Sequence, residues 1–201
     1  MMIGKLEFSG SFFLIWAWLN YMDRQGIVPL AMVACIIHEL GHYLAVKWLG
    51  GEVRYIRLTG IGAEMALAHP MSYWREGVSA LSGPGVNLLL AAFCCQMGWG
   101  IEFSGINLVL GCFNLLPAGR LDGGRALYCT LALLLNPDCA ERVLVVMSAL
   151  VTTIILMAGL LIFGFGGNLT LLIVALWMVA VFFSGKKKGI RACHMRRKRV
   201  K

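Results

Sequence analysis

Five consecutive residues, His38-Glu39-Leu40-Gly41-His42, place two imidazoles and a carboxylate within little more than one helical turn. On a helix, side chains four positions apart share a face. Both imidazoles can then grip one metal ion, with Glu39 beside them to take a proton from a water at that metal. The chain has only 4 histidines, so a chance H-E-x-x-H match is on the order of one in several hundred. The other two sit in plainer surroundings: His69 precedes Pro70 in a polar stretch, and His194 lies among basic residues. A purely structural reading has both histidines bonding neighbouring helices and Glu39 pairing an arginine. It leaves unexplained why three ionisable groups share one apolar run, where each is costly unless it serves a site.

Catalytic zinc usually takes three protein ligands and keeps a position for water. Asp122 is the outstanding candidate for the third. It follows Asn114-Leu115-Leu116-Pro117-Ala118-Gly119-Arg120-Leu121, in which Pro117 and Gly119 break a helix. Unwound backbone at membrane depth is tolerated only where protein or a water-filled cavity surrounds it. A broken helix, an acid and the Asn114 amide thus coincide in an apolar setting. Asp122 can also cap a helix that begins at Gly123, paired with Arg125.

These groups must be positioned by elements that are mostly apolar. The 201 residues are 59% hydrophobic and 14% charged, with mean hydropathy +0.78. A soluble domain carries about 25% charged residues, so a membrane is the economical home for a single domain of this size. Apolar runs cover 3–22, 27–49, 77–99, 105–116 (resuming at 125–135), 142–165 and 169–183. Complete runs approach the ~20 residues that span hydrocarbon. The expected fold is an all-α polytopic membrane protein of about six transmembrane helices, with a small β-hairpin or sheet at the cytoplasmic interface. The hairpin is read from Val53-Arg54-Tyr55-Ile56-Arg57-Leu58, which alternates apolar and basic, followed by a turn at 59–62 and a return strand at 63–67. The 7 cysteines lie mostly in apolar runs with no C-x-x-C pair, and read as small buried residues rather than disulfides.

Nine of the 18 basic residues fall in 185–201, which contains no acid. Such a run after an apolar segment marks the cytoplasmic end of a membrane helix, drawn to anionic lipid, and nucleic acid is not the expected partner. With the tail cytoplasmic, seventeen of the 18 bases fall on that side and only Arg24 does not. Residues 1–184 are then a multi-pass cell-membrane domain with both termini cytoplasmic, its zinc-binding core at about 31–135, followed by the basic tail at 185–201.

His38 to His42, taken with Asn114-x-x-Pro117-x-x-x-x-Asp122-Gly123, resembles the site-2 protease family of intramembrane zinc metalloproteases, over about Ala31 to Leu135. Among these it is most similar to the stage IV sporulation protein FB group. The resemblance implies one zinc ion per chain on His38, His42 and Asp122, with Glu39 as general base and Asn114 helping to stabilise the oxyanion. Ser82-Gly83-Pro84-Gly85-Val86-Asn87 resembles the small-residue motif of the third core helix, which places Asn87 near the substrate cleft. Val53, Tyr55 and Arg57 would then contact substrate along a strand edge, although the strand could equally just cover the site. The sporulation group carries a nucleotide-sensing CBS domain after its last helix, where this sequence has the basic tail, and a PDZ-like insertion is also missing. The expected activity is hydrolysis of peptide bonds in a membrane-spanning or membrane-tethered protein. A metal transporter or sensor is the alternative, but it has no need of Glu39 beside His38. An inactive relative acting as a chaperone would not need the complete set of four residues.

Overall fold

A computed structural model describes residues 2–3, 6–59, 62–98, 100–119, 121–167 and 171–180. Lys5, the centre of the expected turn at 60–61, Arg120, the last residues of the sixth apolar run and the basic tail at 185–201 lie outside the described residues. The chain forms two compact units, divided between Leu115 and Leu116.

The first unit opens with strands β1 (Met2–Ile3) and β2 (Leu6–Phe8), then helix α1 (Gly10–Met22). The apolar run from Ile3 is therefore not all helix, as its composition suggests. Leu6 to Phe8 instead pair in parallel with Ile56 to Leu58 of strand β3 (Val53–Thr59). Glu7 lies opposite Arg57 and accepts from its Nε at 2.8 Å. Phe8 packs on Phe12 and Phe13, which ties the strand to the helix that follows. Strand β4 (Gly62–Leu67) returns antiparallel to β3, as the alternating pattern predicts, and the sheet order is β1-β2-β3-β4.

Helix α2 (Ile27–Trp48) precedes the β3–β4 hairpin; α3 (Tyr73–Met97) and α4 (Ile101–Asn114) follow it. Gly26 has no side chain with which to cap α2. It sits at φ 71°, a left-handed conformation suited to glycine. The Asp23 carboxylate takes over the cap, accepting from the Val28 N–H at 2.8 Å and the Gln25 N–H at 3.1 Å.

In the second unit, α5 (Asp122–Leu134), α6 (Pro137–Gly164) and α7 (Leu171–Ala180) follow. Helix α5 starts at Asp122 rather than beyond it; Leu121 is the capping position and Asp122 the first helical residue. Helix α6 starts earlier than its apolar run suggests. The Asn136 side chain accepts from the Cys139 N–H at 2.7 Å, and Pro137 occupies the first turn, where its missing N–H costs nothing. Gly159 lets α7 come close: a Cβ there would meet the Leu172 Cα at 3.1 Å.

Burial is inverted relative to a soluble protein. Ala34, Ala80, Ala91, Asn87 and Asn107 are buried, while Leu14, Leu89, Val109, Leu134 and Ile154 are more than half exposed. Small and polar residues let helices approach and bond one another, and large aliphatics face outward, as suits a protein whose solvent is lipid. Three described helices, α2, α3 and α6, are long and apolar enough to cross a membrane. Helices α4 and α7 are apolar but shorter.

The backbone N–H donors from Val28 and Gln25 hold the Asp23 carboxyl below its ordinary pKa of 3.8. A depressed carboxylate stabilises the fold above its unfolded-state value and loses that contribution as pH falls through the lower folded value. The cap is therefore intact at neutral pH and lost on acidification below 3.8. Asp23→Ala should fray the start of α2 already at pH ~7, seen as faster amide exchange at Val28; exchange unchanged from wild type would show that the carboxylate is not the cap.

Candidate metal centre

The site is built where α2 and α3 run close together. Ala34, His38, Gly41 and His42 form the buried stripe of α2, at the spacing that repeats on one helical face. Ser79, Gly83 and Asn87 form the matching stripe of α3. Two glycines set the approach. A Cβ on Gly41 would lie 3.1 Å from the Ser82 carbonyl oxygen and 3.3 Å from the Gly83 Cα. A Cβ on Gly83 would strike the His42 ring, at 2.7 Å from both Cδ2 and Cε1. The His42 imidazole thus occupies the space that the absent Gly83 side chain leaves.

The partners of each ring fix its proton. His42 Nδ1 lies 2.7 Å from the Ser79 carbonyl oxygen, which can only accept, so Nδ1 carries the hydrogen. His38 Nδ1 lies 2.6 Å from Asn87 Oδ1, also an acceptor. With the hydrogens on both Nδ1 atoms, the Nε2 atoms are left as acceptors. These two atoms lie 3.1 Å apart, with the rings at 83° to one another. Nitrogens held about 2.0–2.1 Å from a tetrahedral zinc would be about 3.3 Å apart, so the pair has the bite of a metal chelate. Both imidazoles are buried, His38 at 5% and His42 at 7% exposure, and Glu39 is half-buried next to His38 in sequence.

Asp122 is described within the second unit. It is buried, opens α5, and has a carboxylate oxygen 3.6 Å from Arg125 Nη1. A tight turn precedes it. Leu121 N–H donates to the Ala118 carbonyl at 2.8 Å, and Gly119 N–H donates to Ser148 Oγ of α6 at 2.8 Å. Gly124 is required because a Cβ would lie 2.6 Å from that Ala118 oxygen. Gly119 thus anchors the turn before α5 on α6.

The remaining expected residues fall as follows. Asn114 is the last residue of α4, and its Nδ2 donates back to the Leu110 carbonyl at 3.0 Å, leaving its second amide hydrogen outside that bond. Asn87 is fully buried, with its oxygen on His38 and its nitrogen on Asn107 and Ala34. Those bonds occupy its amide, so it holds the His38 ring rather than facing a cleft. Strand β3 lies inside the sheet, between β2 and β4, so it cannot serve as a free edge along Ile56 to Leu58. Val53 is buried at 1% exposure, and Arg57 pairs with Glu7 and lies over the Tyr55 ring at 5.3 Å. The edges of the described sheet are β1 and β4. Sequence reasoning missed Ser79 and Asn107, and reached Gly83 only as part of the small-residue motif. The spacing of Ser79, Gly83 and Asn87 by fours, matching that of His38 and His42, was the available signal for Ser79.

The glycine geometry makes a paired prediction. Gly83→Ala should push the His42 ring aside and lower metal affinity about tenfold or more, while the fold survives because the ring can swing. Gly85→Ala, with nothing within 4 Å of its Cβ, should leave affinity unchanged. Metal content of the purified variants checks both, and equal retention would show that the ring is not held by the close approach.

No family model matches the chain. The zinc metalloprotease MJ0392 of Methanocaldococcus jannaschii is 27% identical over 171 residues, covering 80% of this chain and 48% of the relative. A Synechocystis sp. protein that carries the provisional name zinc metalloprotease sll0528 is 33% identical over 114 residues, 50% of this chain and 30% of that one. This chain therefore spans about half the length of the first relative and less of the second. The solved site-2 protease from Methanocaldococcus jannaschii superposes with a TM-score of 0.66 at 24% identity, covering 93% of this chain and 92% of that one. The fold is therefore that of the solved site-2 protease, and the chain is similar in sequence to proteins named as zinc metalloproteases.

Proposed function

We propose that the chain is an intramembrane zinc protease that hydrolyses peptide bonds of membrane-spanning or membrane-tethered proteins. The observation that carries this reading is the spacing of the two buried imidazoles, whose Nε2 atoms lie 3.1 Å apart with the bite of a metal chelate, and Glu39 beside them in the motif.

Asp122 completes the donor set in this proposal. Two imidazoles and a carboxylate, each buried, are ligand types that a catalytic zinc takes. Bound zinc would supply Lewis acidity, polarising a carbonyl and lowering the pKa of water to about 7. Glu39 takes the proton as water attacks the scissile carbonyl, then returns it to the leaving amine. Asn114 offers its spare amide N–H to the oxyanion. His38 and His42 act only while neutral, so activity falls in acid.

The extended substrate adds to the sheet at β4, an edge strand, with side-chain contacts from Tyr55 and Arg57. Six spans, both termini on the cytoplasmic side, a protease domain over 1–184, anionic lipid at the 185–201 tail and kinship with the sporulation group belong to the same reading. They rest on the hydropathy, the basic residues and the motifs of the sequence.

Glu39→Gln should retain zinc and lose cleavage by at least about a hundredfold, the scale of general acid–base catalysis. Membrane proteomes with wild-type and Glu39→Gln protein would show released fragments only with wild type. A variant that still cleaves removes Glu39 from the mechanism, and metal flux in proteoliposomes without proteolysis would select a transporter. Asp122→Asn should lower bound zinc, read directly as metal per chain; full retention would remove Asp122 as a ligand.

A further inference from the structure

We propose that Asn107 of α4 is a positioning residue for the metal: its amide locks the Asn87 amide and, through it, the proton position on His38. The inference rests on the reading of His38 as a metal ligand.

Asn107 is fully buried on α4. Its Nδ2 donates to the Phe103 carbonyl at 2.8 Å, which leaves Oδ1 pointing to Asn87. Asn87 Nδ2 donates to that oxygen at 2.6 Å and more loosely to the Ala34 carbonyl at 3.3 Å. Asn87 Oδ1 is thereby turned to His38 Nδ1, at 2.6 Å. The chain of bonds runs from a backbone carbonyl, which cannot rotate, across three helices to a ligand ring. Every link has one allowed direction, because an amide nitrogen only donates and an amide oxygen only accepts.

The alternative arrangement shows what the lock prevents. Rotating the Asn87 amide by half a turn would set its oxygen against Asn107 Oδ1 and the Ala34 oxygen, two repulsive contacts. Its NH2 would then face His38 Nδ1. That nitrogen must become an acceptor, so its proton leaves and the other tautomer forms, with hydrogen on Nε2. The atom that should hold the metal would then be blocked. Ala34 opposes this rotation only through the longer contact, so most of the directionality comes from Asn107.

Two substitutions separate direction from packing. Asn107→Leu keeps the approximate shape but offers no acceptor; Asn107→Asp keeps an oxygen in the place of Oδ1. In the full chain, in detergent, zinc affinity is read by competition with a chelator. The 15N shifts of labelled His38 in metal-depleted protein report which ring nitrogen carries the hydrogen. The leucine variant should bind zinc about tenfold more weakly and show a share of Nε2–H tautomer absent from wild type. The aspartate variant should return to within about threefold of wild type, well inside that range, with hydrogen on Nδ1. Where the leucine variant does not fold, Asn107→Ala takes its place with the same two readouts. Unchanged affinity and tautomer in the leucine or alanine variant would overturn the proposal, as would equal losses in the leucine and aspartate variants. A wild-type chain that binds no zinc would defeat the protease reading, while the tautomer shift would still decide the role of Asn107.

Discussion

The arrangement of the first unit turns on one close approach: the Nε2 atoms of His38 and His42, buried and 3.1 Å apart. Burying a polar group is costly unless it finds a partner. Among the described residues no buried side-chain nitrogen or oxygen lacks one. Ser79 and Asn87 fix the outer nitrogens of the two rings, which turns the inner ones toward each other. Close packing and two fixed hydrogen bonds thus hold two nitrogen donors side by side. Pre-organised donors of this kind bind a metal without rearranging, which is what a catalytic site requires.

The same constraint explains the composition of α3. Gly83 leaves room for one ring, the carbonyl of Ser79 orients it, and Asn87 orients the other. Lipid surroundings make this affordable. Large side chains such as Leu89 and Val109 can face outward, which frees the inner surfaces for glycine, alanine and asparagine. A soluble bundle would need those large residues inside for its core and could not bring helix backbones so close.

Much of this was legible in the sequence. Five adjacent residues encode the pair of histidines, because a spacing of four on a helix is a local property. The β3–β4 hairpin was legible through strict alternation. The N-terminal strands were not: Leu6 to Phe8 are strand because Ile56 to Leu58 lie beside them, and a parallel pairing across so long a separation leaves no local mark. The place of β3 inside the sheet was hidden for the same reason. Asn87 was visible as part of a small-residue motif, but its role depends on a bond to α2 and reads differently once that bond is known. Nothing local in the sequence marks Asn107, and only the direction of three successive hydrogen bonds gives it meaning. The break before α5 was legible from Pro117 and Gly119 to within one residue, but its anchor, Ser148, lies in the next helix and was not.

The most direct test is X-ray absorption at the zinc edge on the purified wild-type chain. The account predicts about one zinc per chain, with two imidazole nitrogens and oxygen donors at about 2.0–2.1 Å. A spectrum without imidazole scattering, or dominated by sulfur from the cysteines at about 2.3 Å, would mean that the paired rings are not the metal's seat.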